Sequence, residues 1–223
     1  MGQSVSSDRA IFLSAGIPDP NKSHFMGEAD PASVSAVISA LLYVTLGRRK
    51  LVWGGHPSIT PMIWAYAEAL AIDYGAWVKL YQSDFFEDDF PEETAKFENV
   101  IITPKVEGDV SASLAAMRRK MLSDTTFSAA IFVGGMRGIM DEYALFKELA
   151  PQAAILPIMS AGGAARVLGE QIGAPAAFAE QLDYVALLHE QLEIDPAEQR
   201  YATPAEQPSA LADRMDDPPM PTK

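Results

Sequence analysis

The sequence predicts an α/β protein, a Rossmann-like parallel sheet of about six strands with helices on both faces. Three observations lead to that fold class. Short β-type runs alternate with amphipathic stretches, the order expected when helices cover a parallel sheet. Runs such as Ala129 to Val133 are apolar throughout, as strands buried on both faces are. Three of the runs end in a Gly-Gly pair just before a helical stretch.

The first strand is Ala10 to Ser14, followed by a loop holding Gly16, Pro18 and Pro20. A helix begins near Asp30-Pro31, where Asp caps and proline fits the first turn; it runs to about Leu46 and stops at Gly47. Lys50 to Trp53 is the second strand, then come Gly54-Gly55-His56-Pro57 and a helix from about Thr60 to Asp73. Trp77 to Tyr81 and Asn99 to Thr103 are the third and fourth strands, with a helix from about Asp109 to Leu122 behind them. The fifth, Ala129 to Val133, leads into Gly134-Gly135 and a helix from about Ile139 to Leu149. The sixth, Ala153 to Ile158, leads into Gly162-Gly163 and a helix to about Ile172; a last helix covers roughly Ala177 to Leu192. From about Asp195 the character changes, with Pro196, Pro204, Pro208, Pro218, Pro219 and Pro221 scattered among acidic and polar residues. Residues 1–194 are expected as one domain and 195–223 as a flexible, Pro-rich acidic tail.

Composition narrows the function. A chain of 223 residues, 48% hydrophobic, can fill one sizeable core. A net charge of -13 argues against nucleic acid, whose phosphates draw on clustered Lys and Arg, and against anionic membranes. A small phosphorylated ligand remains compatible, because backbone amides and one or two arginines can hold a phosphate inside an acidic protein. The lack of cysteine removes disulfides, thiolate metal sites and cysteine nucleophiles. The acidic run Glu87 to Glu93 reads as a solvated loop and the histidines are scattered, so neither a metal nor another cofactor is expected. No secretory pattern and no apolar run of roughly 20 residues is visible, which makes the cytoplasm the expected compartment. Met1-Gly2-Gln3-Ser4-Val5-Ser6 fits the short N-myristoylation pattern.

The glycine pairs carry the functional signal. Gly54, Gly55, Gly134, Gly135, Gly162 and Gly163 fall at the carboxyl ends of strands, where ligands of open parallel sheets sit. Glycine admits close approach of a ligand to the backbone, and the following helix start offers amides and partial positive charge to an anion. The same pairs also serve simply to close tight turns. Ser14 either faces the ligand or caps a turn. His56 donates to a phosphate, stacks on a base, or caps and packs its helix. Arg137 reaches a ligand or solvent, and Ser160 beside Gly162 and Gly163 suits a second phosphate or a turn.

Leu51-Val52-Trp53-Gly54-Gly55 resembles the first glycine loop of the LOG-type nucleoside-monophosphate phosphoribohydrolases. Met117-Arg118-Arg119-Lys120, then Gly134-Gly135-Met136-Arg137-Gly138-Ile139-Met140-Asp141-Glu142, is similar to that family's Arg-Lys helix and its Pro-Gly-Gly-x-Gly-Thr-x-x-Glu loop. Phe12 to Pro18 and Gly54 to Pro61 look closer still to one branch of the wider SLOG superfamily. The resemblance, over residues 10 to about 172, implies a domain that binds nucleotides, often NAD- or ADP-ribose-derived. It also implies a homo-oligomer, a dimer or higher, and the setting of bacterial anti-phage systems, where a signal-producing TIR-type protein is the partner. Arg118 matches the arginine, and Glu142 the glutamate, that serve N-glycosidic cleavage in LOG enzymes; Gly138 is the motif's later glycine. The chain departs from the LOG pattern by one extra residue between Gly135 and Gly138, by Ile139 in place of threonine, by Val133 in place of proline and by His56 in place of a glycine. A carboxylate that must be positioned for chemistry tolerates such shifts poorly, so the reading moves toward a sensor or signalling module, with the phosphoribohydrolase as the alternative.

Overall fold

Strands form where the apolar runs fall: β1 (Ala10–Gly16), β2 (Leu51–Trp53), β3 (Val78–Ser83), β4 (Asn99–Thr103), β5 (Phe127–Gly134) and β6 (Ala154–Ile158). In the computed structural model, which describes residues 9–70 and 74–215, they make one parallel sheet in the order β4-β3-β2-β1-β5-β6. The myristoylation pattern, residues 71–73 at the end of the expected second helix, and residues 216–223 lie outside the described residues. The chain walks outward from β1 to β4, then crosses back past β1 to β5 and β6. Its direction thus reverses between β1 and β5, and such a switch point opens a crevice at the carboxyl ends of the strands.

Helices cover both faces: α1 (Pro31–Thr45), α2 (Thr60–Ala69), α3 (Tyr74–Trp77), α4 (Val110–Ser123), α5 (Arg137–Leu149), α6 (Gly163–Ile172), α7 (Ala177–Glu180) and α8 (Tyr184–Gln191). Strand alternation divides the core in two. Ile11, Leu13, Trp53 and Leu80 face α1, α2 and α8, while Phe12, Val52, Tyr81 and Phe132 face α4, α5 and α6. On the second side Phe12 stacks on Phe146 with ring centroids 5.6 Å apart. Capping fixes the helix starts that the sequence suggests: Asp30 accepts from the Ala32 and Ser33 amides, and Asp109 from that of Ala112.

Two expectations need correcting. The last helix is two pieces, because the Asp183 side chain caps a new start by accepting from the Ala186 amide at 3.0 Å. The tail from Asp195 packs back onto the domain through residue 215. Glu198, fully buried, pairs with Arg49 at 2.6 Å and Arg214 at 3.7 Å. Trp77 Nε1 donates to the Tyr201 and Ala202 carbonyls at 3.0 and 2.9 Å, and the Tyr201 amide donates to Gly47 at 2.9 Å. Composition suggested disorder here, but long-range ion pairing and backbone hydrogen bonds hold the segment at the start of β2.

Candidate functional site

A cleft of about 1040 Å³ opens at the carboxyl ends of β1, β2, β3 and β5, walled by α4 and α5. Its polar centre is a network of side chains from three elements. Ser14 is the last polar residue of β1 and shares the sheet face of Phe12, which turns it toward α5. Its hydroxyl donates to Glu142 Oε2 at 2.5 Å. Arg118, on α4, donates through Nε to Glu142 Oε1 at 3.1 Å. Arg118 also meets Asp141 at 3.5 Å, and Arg137 meets the other Asp141 oxygen at 3.4 Å. Gly138 makes room for this arginine, since a Cβ there would stand 2.9 Å from Arg118 Nη2. With Arg119 the cleft gathers three arginines in a chain of net charge -13. Nothing caps the first turn of α5 with a side chain, and its residues Arg137 to Ile139 line the cleft.

The loop after β2 forms the facing wall. The His56 imidazole is shielded there, and burial pushes its pKa below the ordinary value. The Ser58 amide donates to His56 Nδ1 at 3.3 Å, which places the proton of the neutral ring on Nε2. That nitrogen lies beside Gly16, where a Cβ would approach it to 3.3 Å. Ser58 Oγ, 2.8 Å from the same Nδ1, also accepts from the Ile17 amide at 3.5 Å and so ties the first two loops together.

The family model described as the SLOG cluster3 family matches residues 24–192. The chain belongs to this family. The matched span begins after β1, so the Phe12 to Pro18 resemblance lies outside it, whereas the loop at Gly54 and the loop ending in Glu142 lie within it. Among curated proteins and solved structures, nothing matches the chain. Among the described residues of this SLOG chain, no helix is long and apolar enough to cross a membrane and no group of His, Asp and Glu converges to hold a metal ion.

Ser14, Gly54, Gly55, His56, Arg118, Gly135, Arg137, Gly138 and Glu142 all line the cleft. Gly134, Ser160, Gly162 and Gly163 do not. The third glycine loop is filled by the chain itself, because the segment after β1 folds over it. The Gly163 amide donates to the Glu28 carbonyl at 2.7 Å, and the Asp30 amide to that of Ala161 at 3.2 Å. A Cβ on Gly163 would stand 2.7 Å from the carbonyl carbon of Gly134, so these glycines serve close backbone packing. Ser160 donates to the Tyr184 hydroxyl at 3.2 Å. The cleft also contains Trp53, Gln82, Phe86, Phe90 and Asp141, which sequence reading did not single out. Only Asp141 carried a signal, by adjoining Glu142; Trp53 and Gln82 gain meaning from their strand neighbours, and Phe86 and Phe90 from the short helical segment after β3.

Proposed function

We propose that the cleft binds a small nucleotide-type ligand, NAD- or ADP-ribose-derived, and that the protein acts as a sensor or signalling module. One observation carries this reading: the Ser14–Glu142–Arg118 network stands in one cleft with the glycine loops after β2 and β5. The volume suits a mononucleotide or dinucleotide, since small-molecule sites run to roughly 1,000 Å³. Arginines suit phosphate, as does the start of α5, which no side chain caps although the Arg137 amide donates to the His24 carbonyl at 3.4 Å; carboxylates suit ribose hydroxyls. Binding is then passed on by self-association, as a dimer or higher assembly, or to a TIR-type partner of anti-phage signalling.

The phosphoribohydrolase reading keeps one observation in its favour, because the resemblance implies an Arg118–Glu142 pair and the two side chains meet. In that reaction water adds to the ribose anomeric carbon, the N-glycosidic bond breaks and the base leaves with a proton. Glu142 would have to face the developing positive charge. The extra residue between Gly135 and Gly138 shifts the loop that would have to position this carboxylate, which favours a binding role.

Ligand-observed proton NMR with AMP, ADP-ribose, cyclic ADP-ribose and NAD, followed over hours, separates the two. Broadened ligand signals with no new species, and a changed elution volume of the complex, are the outcome expected of a sensor. Resonances of free adenine or nicotinamide that vanish in Glu142→Gln would instead identify a hydrolase.

A further inference from the structure

Among the described residues, two that line the cleft each carry a buried polar atom without a hydrogen-bond partner: Trp53 Nε1 and Gln82 Oε1. The residues are 1% and 3% exposed. Native proteins rarely leave such atoms unpaired, because each has given up water for nothing. Here the two stand together. Trp53 pairs with Leu80 across β2 and β3, and Gln82 lies two residues beyond Leu80. Strand alternation therefore sets Trp53 and Gln82 on one sheet face as diagonal neighbours.

The surroundings hold Gln82 in this position. Gly55, with φ +68°, leaves the space, for a Cβ there would stand 2.7 Å from Gln82 Cγ. Gln82 Nε2 donates to Thr94 Oγ1 at 3.4 Å, which engages the amide nitrogen and leaves the carbonyl oxygen for another donor. An indole N–H only donates and an amide oxygen only accepts. Their complement is a planar group that presents an acceptor beside a donor. Adenine has this edge, with an amino group adjoining a ring nitrogen. Phe86 and Phe90 also line the cleft, and aromatic rings are the side chains on which bases stack.

We infer that Gln82 and Trp53 read the base of the ligand and select adenine, Gln82 accepting from the 6-amino group and Trp53 donating to the neighbouring ring nitrogen. The inference rests on the nucleotide reading above and adds to it the two residues that read the ligand's adenine. Ser14, Arg118 and Glu142, on the opposite sheet face, are then left for ribose and phosphate.

Isothermal titration of the full chain tests this with AMP and ADP-ribose, each against its counterpart in which hydrogen replaces the 6-amino group. The wild type is expected to bind each adenine compound about tenfold or more tightly than its counterpart, the effect of leaving a buried acceptor unpaired. Gln82→Met should bind both members of a pair equally and, without ligand, melt at a higher temperature than the wild type. Trp53→Phe should weaken both members by the same factor, since both keep the ring nitrogens. Equal wild-type affinity within each pair, or a preference that survives in Gln82→Met, overturns the inference while the nucleotide reading stands. Failure of all four compounds to bind the wild type overturns both.

Discussion

Among the described residues, two buried or half-buried arginine–glutamate clusters are built from the same chemistry and put to opposite ends. In the first, Glu198 sits between Arg49 and Arg214 at the back of the molecule, with side-chain exposures of 0%, 8% and 1%. In the second, Glu142 sits between Ser14 and Arg118 in the cleft, and the Arg118 and Glu142 side chains are 15% and 16% exposed. The first is sealed, so its charges are neutralised by each other and by backbone carbonyls such as that of Pro208, which accepts from Arg214 Nε at 2.5 Å. The second lines the open cleft. Exposure, more than pairing, separates a structural staple from a binding site.

The largest expected effect comes from breaking the sealed cluster. Glu198→Ala takes from the buried Arg49 guanidinium the carboxylate it pairs with at 2.6 Å and should cost about 3–5 kcal/mol in urea unfolding. Next is Trp77→Phe, which removes the donor that ties down Tyr201 and Ala202; a loss of about 1–2 kcal/mol is expected in the same assay. Glu142→Ala, the matching change in the open cluster, should cost about 1 kcal/mol or less, because water can reach Arg118. Its loss should be seen in the nucleotide titrations instead. If Glu142→Ala unfolds the protein as readily as Glu198→Ala, the contrast between the clusters is wrong.

The smallest effect is a pH dependence at the cleft. Burial holds the folded His56 pKa below its ordinary value of 6.5. Between those two values the unfolded chain takes up a proton that the folded chain refuses, so stability falls as the pH drops through this window and is flat above it. The slope from one such group is at most about 1.4 kcal/mol per pH unit. Urea midpoints at pH 5, 6, 7 and 8 should show it in the wild type and lose it in His56→Gln.

Much of the sheet was legible because parallel strands buried on both sides are written as unbroken apolar runs, as in Phe127–Gly134. The cleft was legible in part. Gly54, Gly55 and Gly135 signalled backbone approach, and the resemblance supplied Arg118 and Glu142, which lie 24 residues apart and meet only after folding. Gln82 carried no signal, since a glutamine just past an expected strand is unremarkable until its neighbours leave its oxygen unpaired. The third glycine loop read like the other two because sequence does not reveal that residues after β1 return to occupy it. Glu198 and Arg214 were similarly silent, being isolated polar residues among prolines, and the Arg49 that pairs with Glu198 precedes it by well over a hundred positions.

Strand β2 has only three residues, a length of roughly 10 Å. The back cluster grips the residues just before it: Arg49 pairs with Glu198, and Arg48 donates to the Glu198 carbonyl at 2.6 Å. The cleft loop, Gly54 to His56, begins immediately after it. So short a strand works as a stiff strut, and the wall of the cleft is braced from the far side of the sheet. Loosening the C-terminal segment should therefore register as shifted amide resonances at Gly54 and Gly55, far from any altered side chain.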